Sequence, residues 1–203
     1  MKLIVGLGNP GPQYRNHRHN VGFMALDRVY AREHGSEWRE KHQGLVSQCV
    51  IAGRPVVLLK PQTYMNVSGS SVVRAAQQGG VKVGEVLVLH DELELPFGEV
   101  RAKLGGGLGG HNGLRSIHGV MGADFARIRV GIGRPPTGPV DAWVLSNFAL
   151  DEQARLDALF DRVADLVAEV VANGVPEPTP QGKGGNAARG GGGGAPRGGV
   201  KKG

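Results

Sequence analysis

Apolar positions along the chain fall into short β-prone runs separated by segments of helical period. Lys2–Leu7 is a branched apolar run bounded by glycine and predicts a buried strand. A helix is expected from Asn20, an acceptable N-cap, with Val21, Ala25, Leu26 and Val29 facing inward and Gly35 ending it. Residues 36–44 are polar and read as a loop. Leu45–Ile51 and Pro55–Lys60, joined by Ala52-Gly53-Arg54, read as a hairpin, which makes the sheet mixed rather than wholly parallel. Ser68 or Ser70 is placed to cap a helix that runs to about Gln78 and closes at Gly79-Gly80. Glu85–His90 predicts a second buried strand with Asp91 and Glu92 at its C-terminal end, and Glu99–Lys103 a short one. After the glycine-rich run Gly105–Gly110 comes a helix over His111–Val120, then a strand over Arg127–Ile132. Arg134–Pro139 is irregular, and Trp143, Val144, Leu145, Phe148 and Leu150 form an apolar patch suited to cover something. The clearest helix begins with Asp151 as cap and repeats Leu156, Leu159, Phe160, Val163, Leu166, Val167, Val170 and Val171 at 3.6 spacing until Gly174.

Strands alternating with helices, with one hairpin, place the chain in the α/β class: a single-domain three-layer sandwich whose twisted mixed sheet is flanked by helices. That domain is assigned to residues 1–175. Residues 176–203 are a Pro/Gly-rich basic tail, expected to be disordered because so little of it is apolar.

The loop after the first strand contains a decoy. Gly6-Leu7-Gly8-Asn9-Pro10-Gly11 fits G-x-G-x-x-G, the dinucleotide-binding pattern, and follows a strand as that pattern requires. The pattern also needs a helix to begin within it, so that N–H groups face the pyrophosphate. Pro10 and Pro12 remove two of those donors, and the helix is delayed to Asn20. The acidic residue about 20 positions on, Asp27, falls inside the first helix instead of ending a second strand. The glycines are better read as allowing a sharp turn close to a ligand.

Charge and cysteine content narrow the compartment and partners. The formal net charge is +6, yet residues 181–203 carry 5 basic residues and no acid, which leaves 24 − 5 = 19 basic against 18 acidic residues in the rest. The basic character is therefore mostly a tail, suited to sequence-independent contact with nucleic acid. The single cysteine, Cys49, excludes an internal disulfide and fits a reducing cytosol as a small buried apolar residue. The N-terminus lacks a signal-peptide pattern and no apolar run reaches membrane-spanning length, so the expected location is cytoplasmic with no membrane contact.

Four polar clusters each follow a separate strand or loop: Asn9 to Asn20, Tyr64 to Asn66, Asp91, and His111 to Asn112. With the strands side by side, these clusters meet at one edge of the sheet, where open α/β sheets carry their sites. A histidine takes up a proton near neutral pH, a carboxylate fixes its tautomer, and carboxamides supply donors and acceptors for a water or an oxyanion. No serine or cysteine nucleophile is matched to the set, so it suits direct attack of water on an acyl carbon. His17-x-His19 read as a metal pair lacks the Glu or Cys cluster that would complete a site, and neither metal nor cofactor is expected. Two other readings stay open: a non-catalytic RNA-binding cleft, and a nucleotide-binding regulator built on GLGNPG.

The blocks IVGLGNPGPQYRNHRHNVG, KPQTYMNVSG, LVLHDELELPFGEVRAKLGGGLGGHNGLRSI and RIRVGIGRP, in this order and spacing, resemble the bacterial-type peptidyl-tRNA hydrolase family over about residues 1–175. The resemblance implies a monomeric α/β enzyme, with no obligate protein partner, that hydrolyses the ester joining a peptide to the 3′-terminal ribose of tRNA. It implies His19 as general base and Asp91 as its orienting partner. It further implies Asn9, Asn66 and Asn112 as holders of the peptide and 3′ end, with Asn112 also placing the water. Tyr14, Tyr64 and Met65 would bind substrate, Tyr14 and Met65 lining the same cleft, and Lys103 and Arg129 would clamp the tRNA 5′-phosphate. In the second block the family commonly has Phe before the Met; here the block reads Thr63-Tyr64-Met65-Asn66, with Tyr64 in that place.

Overall fold

The computed structural model describes residues 1–176. The tail assigned to residues 176–203 lies outside the described residues from position 177 onward.

Seven strands form one sheet: β1 (Leu3–Gly6), β2 (Arg39–Lys41), β3 (Gly44–Ile51), β4 (Arg54–Pro61), β5 (Val86–Glu92), β6 (Val100–Leu104) and β7 (Ala126–Gly131). Their order across the sheet is β2-β3-β4-β1-β5-β7-β6. β1 is parallel to β4 and β5, and β7 is parallel to β5, whereas β3 pairs antiparallel with β4, β2 with β3, and β6 with β7. The hairpin at Ala52-Gly53, where both residues take positive φ, 50° and 73°, makes β3 antiparallel to β4, and the two edge strands β2 and β6 add the other antiparallel pairings. Chain order reverses at β1: strands two to four lie on one side of it and strands five to seven on the other. That reversal opens a crevice at the C-terminal ends of β1 and β5.

The central strands are apolar on both faces, and alternate residues feed separate cores. Ile4, Leu87, Leu89, Ile128 and Val130 pack under α1 (Val21–Arg32) and α6 (Leu156–Asn173). Leu3, Val5, Val86 and Val88 pack under α2 (Ser68–Gly79) and α3 (Asn112–Met121). The result is three layers, helices–sheet–helices. Gly22 in α1 shows how close the layers run: a Cβ there would stand 2.6 Å from the Leu7 backbone N and O and would also strike Leu89 O.

Several local readings are corrected. Within 36–44, Arg39–Lys41 is a short edge strand, fully exposed and without the alternation that marks a strand in sequence. Neither Ser68 nor Ser70 caps α2: Val67 is the N-cap, and the two hydroxyls bond back to the carbonyls of Met65 and Val67. Asp151 does not start the long helix. It lies in a separate turn, α5 (Leu150–Gln153), in which the Glu152 carboxylate accepts from Ala149 N at 2.8 Å, and α6 begins after Arg155. The apolar patch at 143–150 includes a further short helix, α4 (Val140–Val144). No helix among the described residues is long and apolar enough to cross a membrane.

Candidate active site

The loop that follows β1 stays irregular through two 3₁₀ turns, Pro12–Tyr14 and Arg18–Asn20, before α1 starts at Val21. His19 therefore reaches the edge of the sheet from the second turn, and Asp91 reaches it from the last residues of β5. His19 Nδ1 lies 2.9 Å from Asp91 Oδ1. The same oxygen is 2.9 Å from His111 Nε2. Both side chains of the His19–Asp91 pair are buried, at 11 % and 3 % exposure, so little water competes for the bond.

Backbone geometry fixes the proton positions. His111 is the N-cap of α3, and its Nδ1 accepts from the N–H groups of Gly113 and Leu114 at 3.1 and 3.3 Å. Two N–H donors require a bare Nδ1, so the proton of His111 is on Nε2 and points at Asp91. For Asp91, burial opposes ionisation, but its contacts with His111 and His19, hydrogen bonds included, outweigh it and hold the carboxyl well below the usual carboxylate range. An ionised Asp91 accepts from His19 Nδ1–H, which leaves His19 Nε2 with a lone pair towards the cleft. Burial disfavours the His19 imidazolium, yet the Asp91 charge and hydrogen bond, with a contribution from Asp141, raise its pKa above the ordinary value. The site thus contains one imidazole free to exchange a proton and one committed to capping a helix.

His19, Asp91 and His111 also offer atoms within 4.8 Å of one another, a spacing open to a metal ion. The donor set does not suit one. A metal on His111 Nε2 would need that nitrogen stripped of its proton while Nδ1 still receives two N–H groups, which is an imidazolate. His17, the other half of the His-x-His pattern, faces Tyr14 edge-on at 5.5 Å and is not in this cluster.

The cleft over these groups has a volume of about 210 Å³ and is lined by His19, Asp91, His111 and Asn112, with Val140 and Val144 of α4 on the far wall. Asn112, the first residue of α3, is exposed, and its Oδ1 accepts from Arg115 at 3.3 Å. Asn9 does not line this cleft; with Asn20 it lines a separate one. Asn9 is clamped: its N–H donates to Asn20 Oδ1 and its carbonyl accepts from Asn20 Nδ2, both at 2.9 Å, while its Oδ1 accepts from Met65 N at 2.8 Å. Its Nδ2 is left as a donor without a partner among the described residues. Asn20 is therefore the positional N-cap of α1, but its side chain is spent on Asn9 and makes no capping bond.

The remaining expected residues sit around this centre. Met65 is buried, with its sulfur against the first turn of α3, and does not line the His19 cleft. Tyr14 and Tyr64 meet edge to face at 6.5 Å, Tyr64 is 60 % exposed, and Asn66 is exposed beside them. Lys103 and Arg129 lie apart, on the side of β6 and β7 opposite the Ala102, Ile128 and Val130 positions that pack toward α6. There the register sets Arg101 opposite Arg129 and Lys103 opposite Arg127. Arg129 Nε donates to Glu92 at 2.7 Å. Arg127 is buried and holds the glycine-rich loop by donating to the carbonyls of Gly105 and Gly107. Lys103 lies close over Gly106, whose φ of 85° and missing Cβ leave the room.

Sequence reasoning placed His111 and Asn20 in its polar clusters and Glu92 at the end of a strand, but missed what each does. Histidine is not among the residues that mark an N-cap, the partner of Asn20 lies eleven residues back in the same loop, and that of Glu92 comes from β7. Cys49, expected to be buried, is half-buried, and burial, with Glu33 nearby, pushes its thiol up to about 11.

Comparison with known proteins gives one consistent match. A family model described as peptidyl-tRNA hydrolase matches residues 3–186. A peptidyl-tRNA hydrolase of Rhodospirillum centenum is 51 % identical over 170 residues, 83 % of this chain and 74 % of that protein. One from Geobacter sulfurreducens is 49 % identical over 177 residues, 87 % and 92 % of the two chains. The crystal structure of peptidyl-tRNA hydrolase from Acinetobacter baumannii superposes with a TM-score of 0.80 at 37 % identity, covering 86 % of this chain and 89 % of that one. On the match of the family model and on relatives near half identity, the chain belongs to the peptidyl-tRNA hydrolase family.

Proposed function

We propose that the chain hydrolyses the ester between a peptide, or an N-blocked amino acid, and the 3′ end of tRNA, by direct attack of water activated at His19. The observation that carries this reading is the 2.9 Å bond from His19 Nδ1 to a buried, ionised Asp91, which leaves Nε2 basic at the cleft. Water gives a proton to His19 Nε2 as its oxygen adds to the acyl carbon. The tetrahedral intermediate then releases the ribose oxygen, which takes that proton back from the imidazolium. Asp91 stabilises the imidazolium between the two steps. Asn112 positions the water. Asn9, Asn66, Tyr14 and Tyr64 hold the 3′ end and peptide, Asn9 through its Nδ2, since its Oδ1 is occupied by the N–H of the buried Met65, which supports Asn9 rather than touching substrate.

Lys103 and Arg129 clamp the 5′-phosphate of the tRNA. Their shared face on β6 and β7, with Lys103 exposed and Arg129 half-buried, supports this. Residues 1–175 act as the catalytic domain and 176–203 as a basic extension. The family resemblance supports action as a monomer without an obligate protein partner. The deciding experiment is incubation with N-blocked aminoacyl-tRNA, comparing the wild type with His19→Ala. Release of the blocked amino acid by the first and not by the second supports the reading, and equal release by both defeats it.

A further inference from the structure

We propose that Arg18 and Glu152 form a positioning pair that holds α4 as a wall of the His19 cleft, so that the residue before the base fixes both the catalytic loop and its cover. The inference rests on the catalytic reading of that cleft. Arg18 is 2 % exposed, unusual burial for a guanidinium. It forks onto Glu152, Nη1 to Oε1 at 3.0 Å and Nη2 to Oε2 at 2.6 Å. Its Nε donates to Ser146 Oγ at 3.3 Å and its backbone N–H to Ser146 O at 2.9 Å. The guanidinium carbon stands 3.7 Å from the centre of the Trp143 ring. One side chain thus gathers three points of the segment 143–152.

What that segment carries explains why its placement matters. α4 has five residues, none of them fully buried; Trp143 and Val144 pack partly buried against the core and Phe148 beyond them is buried. Apolar contact therefore seats the segment, and the polar ties of Arg18 add direction to it. Val140, Asp141 and Val144 of α4 line the cleft opposite His19. Its other end is tied by Trp143 Nε1 to Gly133 O at 2.8 Å. A buried ion pair is often replaceable by apolar residues without loss of stability. A bidentate fork fixes distance and plane, which an apolar pair of similar volume does not. Geometry is therefore the property the pair supplies. Loss of the wall removes contacts to whatever part of the substrate lies against it. The His19–Asp91–His111 hydrogen bonds do not pass through α4.

The test compares Arg18→Met, Glu152→Met and the double variant with wild type, by hydrogen exchange over residues 140–153 and by steady-state kinetics on N-blocked aminoacyl-tRNA. Each single variant leaves an unpaired buried charge and is expected to melt lower than the double one. In the double variant, which keeps a thermal midpoint near wild type, exchange over 140–153 should rise at least about tenfold while α6 stays protected. KM should rise about five- to tenfold with kcat changed less than about threefold, the pattern of lost uniform binding. Arg18→Lys should resemble the double variant in KM, since an ammonium lacks the fork. Wild-type exchange and KM in the double variant would overturn the proposal, as would a fall in kcat with KM unchanged. His19→Ala is run alongside: normal turnover by that variant would defeat the catalytic reading, while the exchange result would still judge the pair.

Discussion

His111 Nε2 lies 2.9 Å from Asp91 Oδ1, the oxygen that also receives His19 Nδ1. One carboxylate oxygen therefore serves a base and a helix cap at once, and the start of α3 is tied to the chemistry. Because the His111 proton is fixed by two backbone N–H groups on its other nitrogen, Asp91 is always offered a donor from that side. Its orientation towards His19 does not depend on the substrate.

His111→Asn should separate the two duties. Asn is a good N-cap, so stability should change by less than about 1 kcal/mol, while the Asp91 contact is lost and kcat/KM falls several-fold. His111→Ala loses the cap as well and should cost about 1 kcal/mol more on that account. Urea unfolding beside steady-state kinetics checks both, and equal behaviour of the two variants would show that the cap and the Asp91 contact are not separable.

His19→Ala should lower turnover by about 10²–10⁴-fold, the usual worth of a positioned base. Asp91→Asn should lower it less. The pH profile distinguishes the two roles. A base works unprotonated, so wild-type kcat/KM should fall as pH drops through a His19 pKa held above the ordinary histidine value. In Asp91→Asn the opposing burial remains and the raising charge is gone, so the acid limb should move to lower pH. A limb that stays in place would mean that Asp91 does not set the basicity of His19.

The runs that became β1, β4 and β5 were legible because strands buried on both faces are continuously apolar, β7 because Ile128 and Val130 alternate with Arg127 and Arg129, and the candidate cluster followed from their loops sharing one edge. What escaped was set by tertiary partners. Glu152 is drawn into a separate turn by Arg18 and Ala149, which moves the start of α6 past Asp151 to Arg155. Arg39–Lys41 is exposed at every position, so its pairing with Gly44–Val46 left no periodic trace. His111 precedes the helix it caps without belonging to the residue types that signal a cap. Asn20 sits where a cap belongs, yet its side chain was claimed by Asn9 across the loop.

His90 should govern stability on the acid side. It is fully buried, its Nδ1 donates to Asp91 O at 2.7 Å, and its Nε2 has no partner among the described residues. Burial, with His111 beside it, pushes its pKa down to about 3. Below the ordinary histidine value of about 6.5 the unfolded chain binds this proton and the folded one does not, so stability falls with pH by at most about 1.4 kcal/mol per unit. Asp91, depressed, holds its contribution until pH drops below about 3.8, and His19, raised, loses its own only above about 6.5. The window from about pH 4 to 6.5 is thus dominated by His90. Unfolding free energies in urea should rise with pH across it, and His90→Asn, which keeps the donor to Asp91 O, should flatten the slope. An equally steep slope in the variant would assign it to other groups.

The last expectation concerns the cation pair. Lys103 and Arg129 share a face with Arg101 and Arg127, but the four are not equivalent. Arg127 is committed to the glycine-rich loop, and Arg101 pairs with Glu99 at 2.6 Å in solvent, an interaction worth little. Arg129 spends its Nε on Glu92, which orients the guanidinium and leaves its terminal nitrogens for a phosphate. Lys103→Glu and Arg129→Glu should therefore raise KM by about tenfold or more for tRNA substrates bearing a 5′-phosphate, with the difference shrinking as salt rises. A short N-blocked aminoacyl ester without that phosphate should be cleaved at near wild-type rate by both. Glu92→Gln supplies the internal control: it keeps an acceptor for Arg129 but drops the charge, so phosphate-bearing substrates should bind no worse. Equal losses on both substrates would mean that these cations serve the sheet rather than the phosphate.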